Sequence, residues 1–245
     1  SWAPCAARFP DRDDPIRSFF STSWTSYAER DLNPFHFGSS SEPLFGVYHP
    51  GAGGALARGV VLCYPLGGEY LRAHRAFRQL TRLLIRAGVH VFRFDYRGTG
   101  DSWGDALDLS LAGAVEDIGH AVDEFRESAA LEKVSLAGLR LGGNLALEAA
   151  ARRDDVASVV LWDPVVDGSS YIQGLDWVEL GIDLPTGERL PPAFPSGSRG
   201  SGGVAWSKGL LESVSARSLS DRDFPPGFRT SIFTSWADET LPGVV

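Results

Sequence analysis

Apolar residues in this chain alternate between short unbroken runs and longer stretches in which they recur every three or four positions. Gly59-Val60-Val61-Leu62-Cys63-Tyr64 is a run rich in β-branched residues and is stopped by Pro65-Leu66-Gly67-Gly68, which predicts a buried strand opening into a loop. Phe77, Leu80 and Leu84 follow at helical spacing among good helix formers, and Gly88 stands where a helix C-terminus favours it. Val89 to Asp95 reads as a second strand, closed by the turn-forming run Arg97-Gly98-Thr99-Gly100-Asp101-Ser102. Val115, Ile118, Val122 and Phe125 mark another helix. Lys133 to Gly138 is a third strand, Gly142 to Arg152 a third helix, and Ala157 to Trp162 a fourth strand ending at Asp163-Pro164.

This alternation predicts an α/β fold with right-handed crossovers and a mostly parallel sheet between helices, and it puts ligands outside the C-terminal ends of the strands. Upstream, Pro34-Phe35-His36-Phe37-Gly38 and Leu44-Phe45-Gly46-Val47-Tyr48 predict two antiparallel edge strands joined by the Ser39-Ser40-Ser41 turn. From residue 168 to 226 the periodicity loosens into Gly, Ser and Pro clusters with one helix over 207–215, and Arg229 to Trp236 resumes a strand. The expected division is an N-terminal extension over 1–33, the first part of the core over 34–167, a lid-like cap insertion over 168–226 and the last strand over 227–245. Trp2, Phe19, Phe20, Trp24 and Tyr27 make the extension aromatic, so burial against the lid or a homodimer partner is expected.

Composition narrows the class. At 245 residues, 43% hydrophobic and 22% charged, the chain is long enough for one main core and is not a disordered sequence. A net charge of -8 disfavours nucleic acid and anionic lipid, and no apolar run reaches the length of a membrane span. Two cysteines, Cys5 and Cys63, give no disulfide framework, and the early Asp11, Asp13 and Asp14 do not fit a secretory signal, so a cytoplasmic location is expected. Methionine is absent even at position 1, which is expected of a truncated chain or of a sequence that omits modified methionines, and the latter makes motifs within short runs safer than long-range spacings.

Three passages carry a family resemblance: Val61-Leu62-Cys63-Tyr64-Pro65-Leu66-Gly67-Gly68-Glu69-Tyr70, Phe94-Asp95-Tyr96-Arg97-Gly98-Thr99-Gly100-Asp101-Ser102 and Gly138-Leu139-Arg140-Leu141-Gly142-Gly143. Together they resemble the α/β-hydrolase superfamily, in particular bacterial proteins related to serine aminopeptidases and exosortase-associated hydrolases. The resemblance makes the third passage the nucleophile elbow, Gly-x-Ser-x-Gly, a strand-to-helix turn that needs small flanking residues. Gly138 and Gly142 are present, but the central residue is Arg140, which neither deprotonates nor attacks a carbonyl. The resemblance also implies a histidine base late in the chain, whereas His36, His49, His74, His90 and His120 all precede Arg140; a histidine beyond Val245 would fill that slot. It implies an acid at Asp238 or, one strand earlier, at Asp163.

At the N-terminus of a helix Arg140 would grip the carboxylate or phosphate of a ligand, or pair internally with Glu69 or an aspartate. The resemblance makes Pro65 to Tyr70 the oxyanion-hole loop, with Leu66 and Gly67 as donors, and Leu141, Ser102 and Asp163 as further lining of the substrate site. Glu69 and His74 are the nearest candidate bases. His74 reads more readily as a surface residue between Arg72 and Arg75, Ser102 as a helix cap or turn residue than as a nucleophile, and Cys63 as an inert buried thiol than as a replacement nucleophile. No cofactor or metal is called for. Two functions remain: a non-serine enzyme acting on a small, anionic ester, thioester or other carbonyl compound, and a non-catalytic ligand-binding or scaffold protein.

Overall fold

A computed structural model describes residues 33–52, 58–175, 177–178, 182–183, 189–190, 197–220, 223–224 and 228–235. The aromatic residues predicted to be buried in the N-terminal extension, together with Asp238, lie outside them. In chain order the elements are β1 (Asn33–Gly38), β2 (Pro43–His49), β3 (Gly59–Cys63), α1 (Gly68–Arg86), β4 (His90–Phe94), α2 (Leu111–Ala129), β5 (Val134–Leu139), α3 (Leu141–Ala150) and β6 (Val156–Trp162). There follow α4 (Gly168–Gly174), the short strands β7 (Trp177–Val178), β8 (Ile182–Asp183), β9 (Arg189–Leu190), β10 (Arg199–Ser201) and β11 (Val204–Trp206), then α5 (Lys208–Ser215) and β12 (Arg229–Phe233).

Among the described residues seven strands form one sheet in the order β1-β2-β4-β3-β5-β6-β12. β3 is parallel to both β4 and β5, β6 to β5, and β12 to β6, while β2 pairs antiparallel with β4 and β1 with β2. Only β1 of the predicted edge pair is at the edge; β2 is closed on both sides. β3 is buried along its whole length, as an unbroken apolar run in a sheet covered on both faces should be. The chain steps from β3 to β4 in one direction along the sheet, and from β4 to β5 and β5 to β6 in the other. Right-handed crossovers therefore set α1 on one face and α2 and α3, which pack together, on the opposite face.

Each helix buries the side its periodicity predicts. Ala73, Phe77, Thr81 and Ile85 of α1 are buried at four-residue intervals, and Val115, Ile118, Val122 and Phe125 of α2 at intervals of three, four and three. Ser110 caps α2 by accepting from the Gly113 N–H at 3.1 Å. The loosened segment between β6 and β12 has more regular structure than its sequence suggests: α4, a three-stranded sheet in the order β11-β10-β7, the β8–β9 hairpin, and α5 capped by Ser207.

Candidate functional site

The C-terminal ends of β3, β5 and β6 carry the loops that the sequence singles out. Between β5 and α3 the backbone turns at Arg140, with φ 53° and ψ −128°, a conformation that L residues rarely adopt. Two hydrogen bonds hold the turn: Arg140 N–H donates to the Trp162 carbonyl at 2.8 Å, and Gly143 N–H to the Arg140 carbonyl at 3.0 Å. The flanking glycines are there for space. A Cβ on Gly142 would stand 2.2 Å from the Tyr64 carbonyl oxygen, so the start of α3 lies directly against the loop that leaves β3. Asn144, one turn into α3, exchanges hydrogen bonds with the Val165 backbone at 2.8 and 2.9 Å and ties down the loop after β6.

The β3 loop turns at Gly67, with φ 63°, where a Cβ would also fall 2.3 Å from Nε1 of Trp206. Both the backbone conformation and this indole require glycine. Leu66 and Leu141 are buried. Glu69, in the first turn of α1, meets Arg140 across the gap: Arg140 Nε donates to Glu69 Oε1 at 3.4 Å. Glu69 Oε2 accepts from the Tyr171 hydroxyl at 2.6 Å, and the Arg140 guanidinium carbon lies 5.2 Å from the centroid of the Tyr171 ring. Burial, then the Glu69 charge beside it, raises the Tyr171 phenol well above its ordinary range, so it stays a donor.

The other predicted site residues make hydrogen bonds or ring contacts of their own, or are buried in the core. His74 is exposed on α1, stacked on Tyr64 with centroids 5.9 Å apart; burial first, then Arg93 and Arg78, lowers its pKa. Among the described residues no histidine bonds to Arg140 or Glu69. Ser102 fixes the loop after β4, its hydroxyl donating to the Asp95 carbonyl at 2.6 Å and accepting from Phe45 N–H at 2.8 Å. Asp163, at the end of β6 with φ 44°, receives the backbone N–H and hydroxyl of Ser235 on its two oxygens. Cys63 is fully buried, and burial holds its thiol protonated. Among the described residues no cluster of His, Cys, Asp and Glu suits a metal, and no helix is long and apolar enough to cross a membrane.

Tyr171 is the member that the sequence does not reveal. It is 102 residues from Glu69, in a Gly- and Ser-rich helix of seven residues with no apolar period to mark an inward face. Trp206, buried against Gly67, likewise comes from the segment between β6 and β12.

A parallel sheet with a strained strand-to-helix turn at its C-terminal end defines the α/β-hydrolase class. Within it the chain belongs to the family described as Serine aminopeptidase, S33, whose model matches residues 58–194, more than half the chain. No curated protein matches. Among solved structures, Est1E from Butyrivibrio proteoclasticus, determined with ferulic acid bound, is similar at 14% identity and TM-score 0.55, covering 82% of this chain and 88% of that one. An alpha-beta serine hydrolase homologue from Coxiella burnetii is 21% identical with TM-score 0.48, covering 55% of this chain and 64% of its own. DcsB, solved with a substrate analogue, is 18% identical with TM-score 0.48, covering 56% of this chain and 46% of its own. The chain thus spans less than two thirds of the length of the last two.

Proposed function

We propose that the chain is an α/β-hydrolase-like enzyme that works without a serine nucleophile on a small ester, thioester or other carbonyl substrate bearing an anionic group, and that it acts in the cytoplasm. The observation that carries this reading is the state of Arg140: a permanent charge at the turn into α3, 36% exposed, with its Nε on Glu69. Its two Nη nitrogens make no hydrogen bond among the described residues, and a carboxylate takes two such donors side by side. The first turn of α3 adds backbone N–H groups that favour the same charge.

In this reading Leu66, Gly67 and Leu141 supply the backbone donors for the developing oxyanion. Glu69, held by Tyr171 and Arg140, takes a proton from water as the water oxygen attacks the carbonyl carbon, and the proton then passes to the departing alkoxide or thiolate. An acid and an alcohol or thiol leave, with no covalent enzyme intermediate. The segment over 168–226 serves as the cap, a role supported by Tyr171 and Trp206, which it brings to Glu69 and Gly67.

A second reading, a non-catalytic ligand-binding protein, is favoured by one observation: each Glu69 oxygen already accepts a hydrogen bond, which leaves less of the carboxylate for water. Glu69→Gln separates the two. The enzyme reading expects turnover of anionic esters to fall by about a hundredfold or more with little change in KM. Unchanged turnover in the variant removes Glu69 from the base role; binding of anionic esters by the wild type without turnover supports the second reading.

A further inference from the structure

Arg72, Arg75, Arg78, Arg82 and Arg86 follow one another along α1 at spacings of three, three, four and four residues, and all are exposed. Those intervals keep them on one side of the helix, away from Ala73, Phe77, Thr81 and Ile85 against the sheet. The stripe runs about 21 Å from Arg72 to Arg86 at the helical rise. Glu69 is the one acidic residue of α1, and it is turned to Arg140 and Tyr171. Two large apolar side chains stand exposed beside the arginines, Leu71 at 58% and Leu83 at 45%.

Several arginines elsewhere meet carboxylates: Arg97 pairs with Asp117, Arg126 and Arg153 with Asp155, and Arg217 and Arg152 with Glu148. Among the described residues no ion pair reaches Arg75, Arg78, Arg82 or Arg86. In a chain of net charge -8, one helix therefore presents a row of like charges. Neighbours one turn apart repel one another, and an acidic ligand laid along the row would relieve that repulsion.

We propose that the outer face of α1 is a docking surface for an acidic amphipathic helix of a partner protein, with the arginine forks taking its carboxylates and Leu71 and Leu83 its apolar edge. Arginine suits this because its planar fork binds carboxylates bidentately and is common in protein interfaces. The stripe is one helix wide, which fits a single helical ligand. An extended polyanion or an anionic bilayer would meet the whole acidic molecule and be repelled at long range. Two leucines also give too little apolar face for α1 to insert into lipid. The stripe starts one turn beyond Glu69, whose carboxylate bonds Arg140 and Tyr171, so a helix bound along α1 ends beside the Arg140 cluster. The docking surface stands whether or not that cluster is catalytic.

The test uses the full chain and two fluorescein-labelled peptides of equal composition, one forming an amphipathic helix of Glu and Leu faces and the other scrambled, read by fluorescence anisotropy at several salt concentrations. The wild type is expected to prefer the amphipathic peptide. Arg75→Glu/Arg82→Glu should weaken it at least about tenfold and flatten the salt dependence. Leu71→Ser/Leu83→Ser should abolish the preference over the scrambled peptide, and Lys133→Glu, an exposed cation off the stripe, should change nothing. Circular dichroism confirms folding of each variant. The proposal is overturned by equal binding of both peptides, by an equal loss in Lys133→Glu, by no binding to the wild type, or by phosphatidylserine vesicles or duplex DNA engaging these arginines in place of the peptide.

Discussion

Arg140 combines a positive φ of 53° with a charged side chain at the mouth of the sheet. That backbone conformation costs about 1–3 kcal/mol in a residue with a Cβ and persists because the Trp162 carbonyl and Gly143 N–H fix the peptides on either side. Replacing the arginine by alanine or by glycine removes the same contacts with Glu69 and Tyr171, but only glycine relieves the strain. Arg140→Gly is therefore expected to be more stable than Arg140→Ala by about 1 kcal/mol in urea unfolding. Equal stabilities would mean that the turn is not strained. His49 carries a second residue-level prediction. Burial, reinforced by Arg93 and then Arg78, lowers its pKa from 6.5 to about 4, and its Nε2 accepts from Arg93 Nε at 3.1 Å. Between those values the unfolded chain takes up a proton that the folded chain refuses. The stability that His49 contributes is thus complete above pH 6.5 and is lost as pH falls towards 4, by about 1.4 kcal/mol per pH unit. His49→Gln should show a shallower fall between pH 7 and 4.5 in parallel unfolding curves; identical slopes would place the proton elsewhere.

The helices were legible in the sequence wherever one of their faces meets the sheet. Phe77 and Val115, Ile118, Val122 and Phe125 predicted α1 and α2 because burial imposes the helical period on them. The predicted third helix ran to Arg152, whereas α3 ends at Ala150, and the strand predicted to Trp236 is described to Phe233; such ends depend on hydrogen bonds that periodicity does not encode. The end of α2 shows this well. Ala130, which caps its C-terminus, sits in the left-handed region at φ 51°, a conformation usually given to glycine or asparagine. Ala130→Gly is expected to raise stability by about 1 kcal/mol, visible as an increase in Tm. A lower Tm would mean that the alanine methyl contributes more by packing than its conformation costs.

For the whole molecule, sequence and structure agree on the sheet and the turn at Arg140 and part ways in the segment between β6 and β12. The turn was legible because Gly138-Leu139-Arg140-Leu141-Gly142 resembles the nucleophile elbow of the α/β-hydrolase superfamily, and the structure adds the steric reason for its glycines, since two backbones nearly touch there. Glu69 was nameable as one partner of Arg140, beside an aspartate or the anion of a ligand, because a buried charge needs a partner. Tyr171 and Trp206 were not, since their importance lies in contacts over long sequence separations: 102 residues in one case, and from Gly67 to Trp206 in the other. In the proposed function the Arg140 fork receives an anionic group on a carbonyl substrate. The measurement that reaches it most directly is product release from matched aryl esters and acyl thioesters, with and without a carboxylate, by wild type and Arg140→Ala at equal folded concentration. The wild type is expected to prefer the carboxylate-bearing members, and Arg140→Ala to lose that preference, its kcat/KM falling at least about tenfold further on those members than on the rest. Turnover indifferent to the carboxylate, or unchanged in Arg140→Ala, would contradict it.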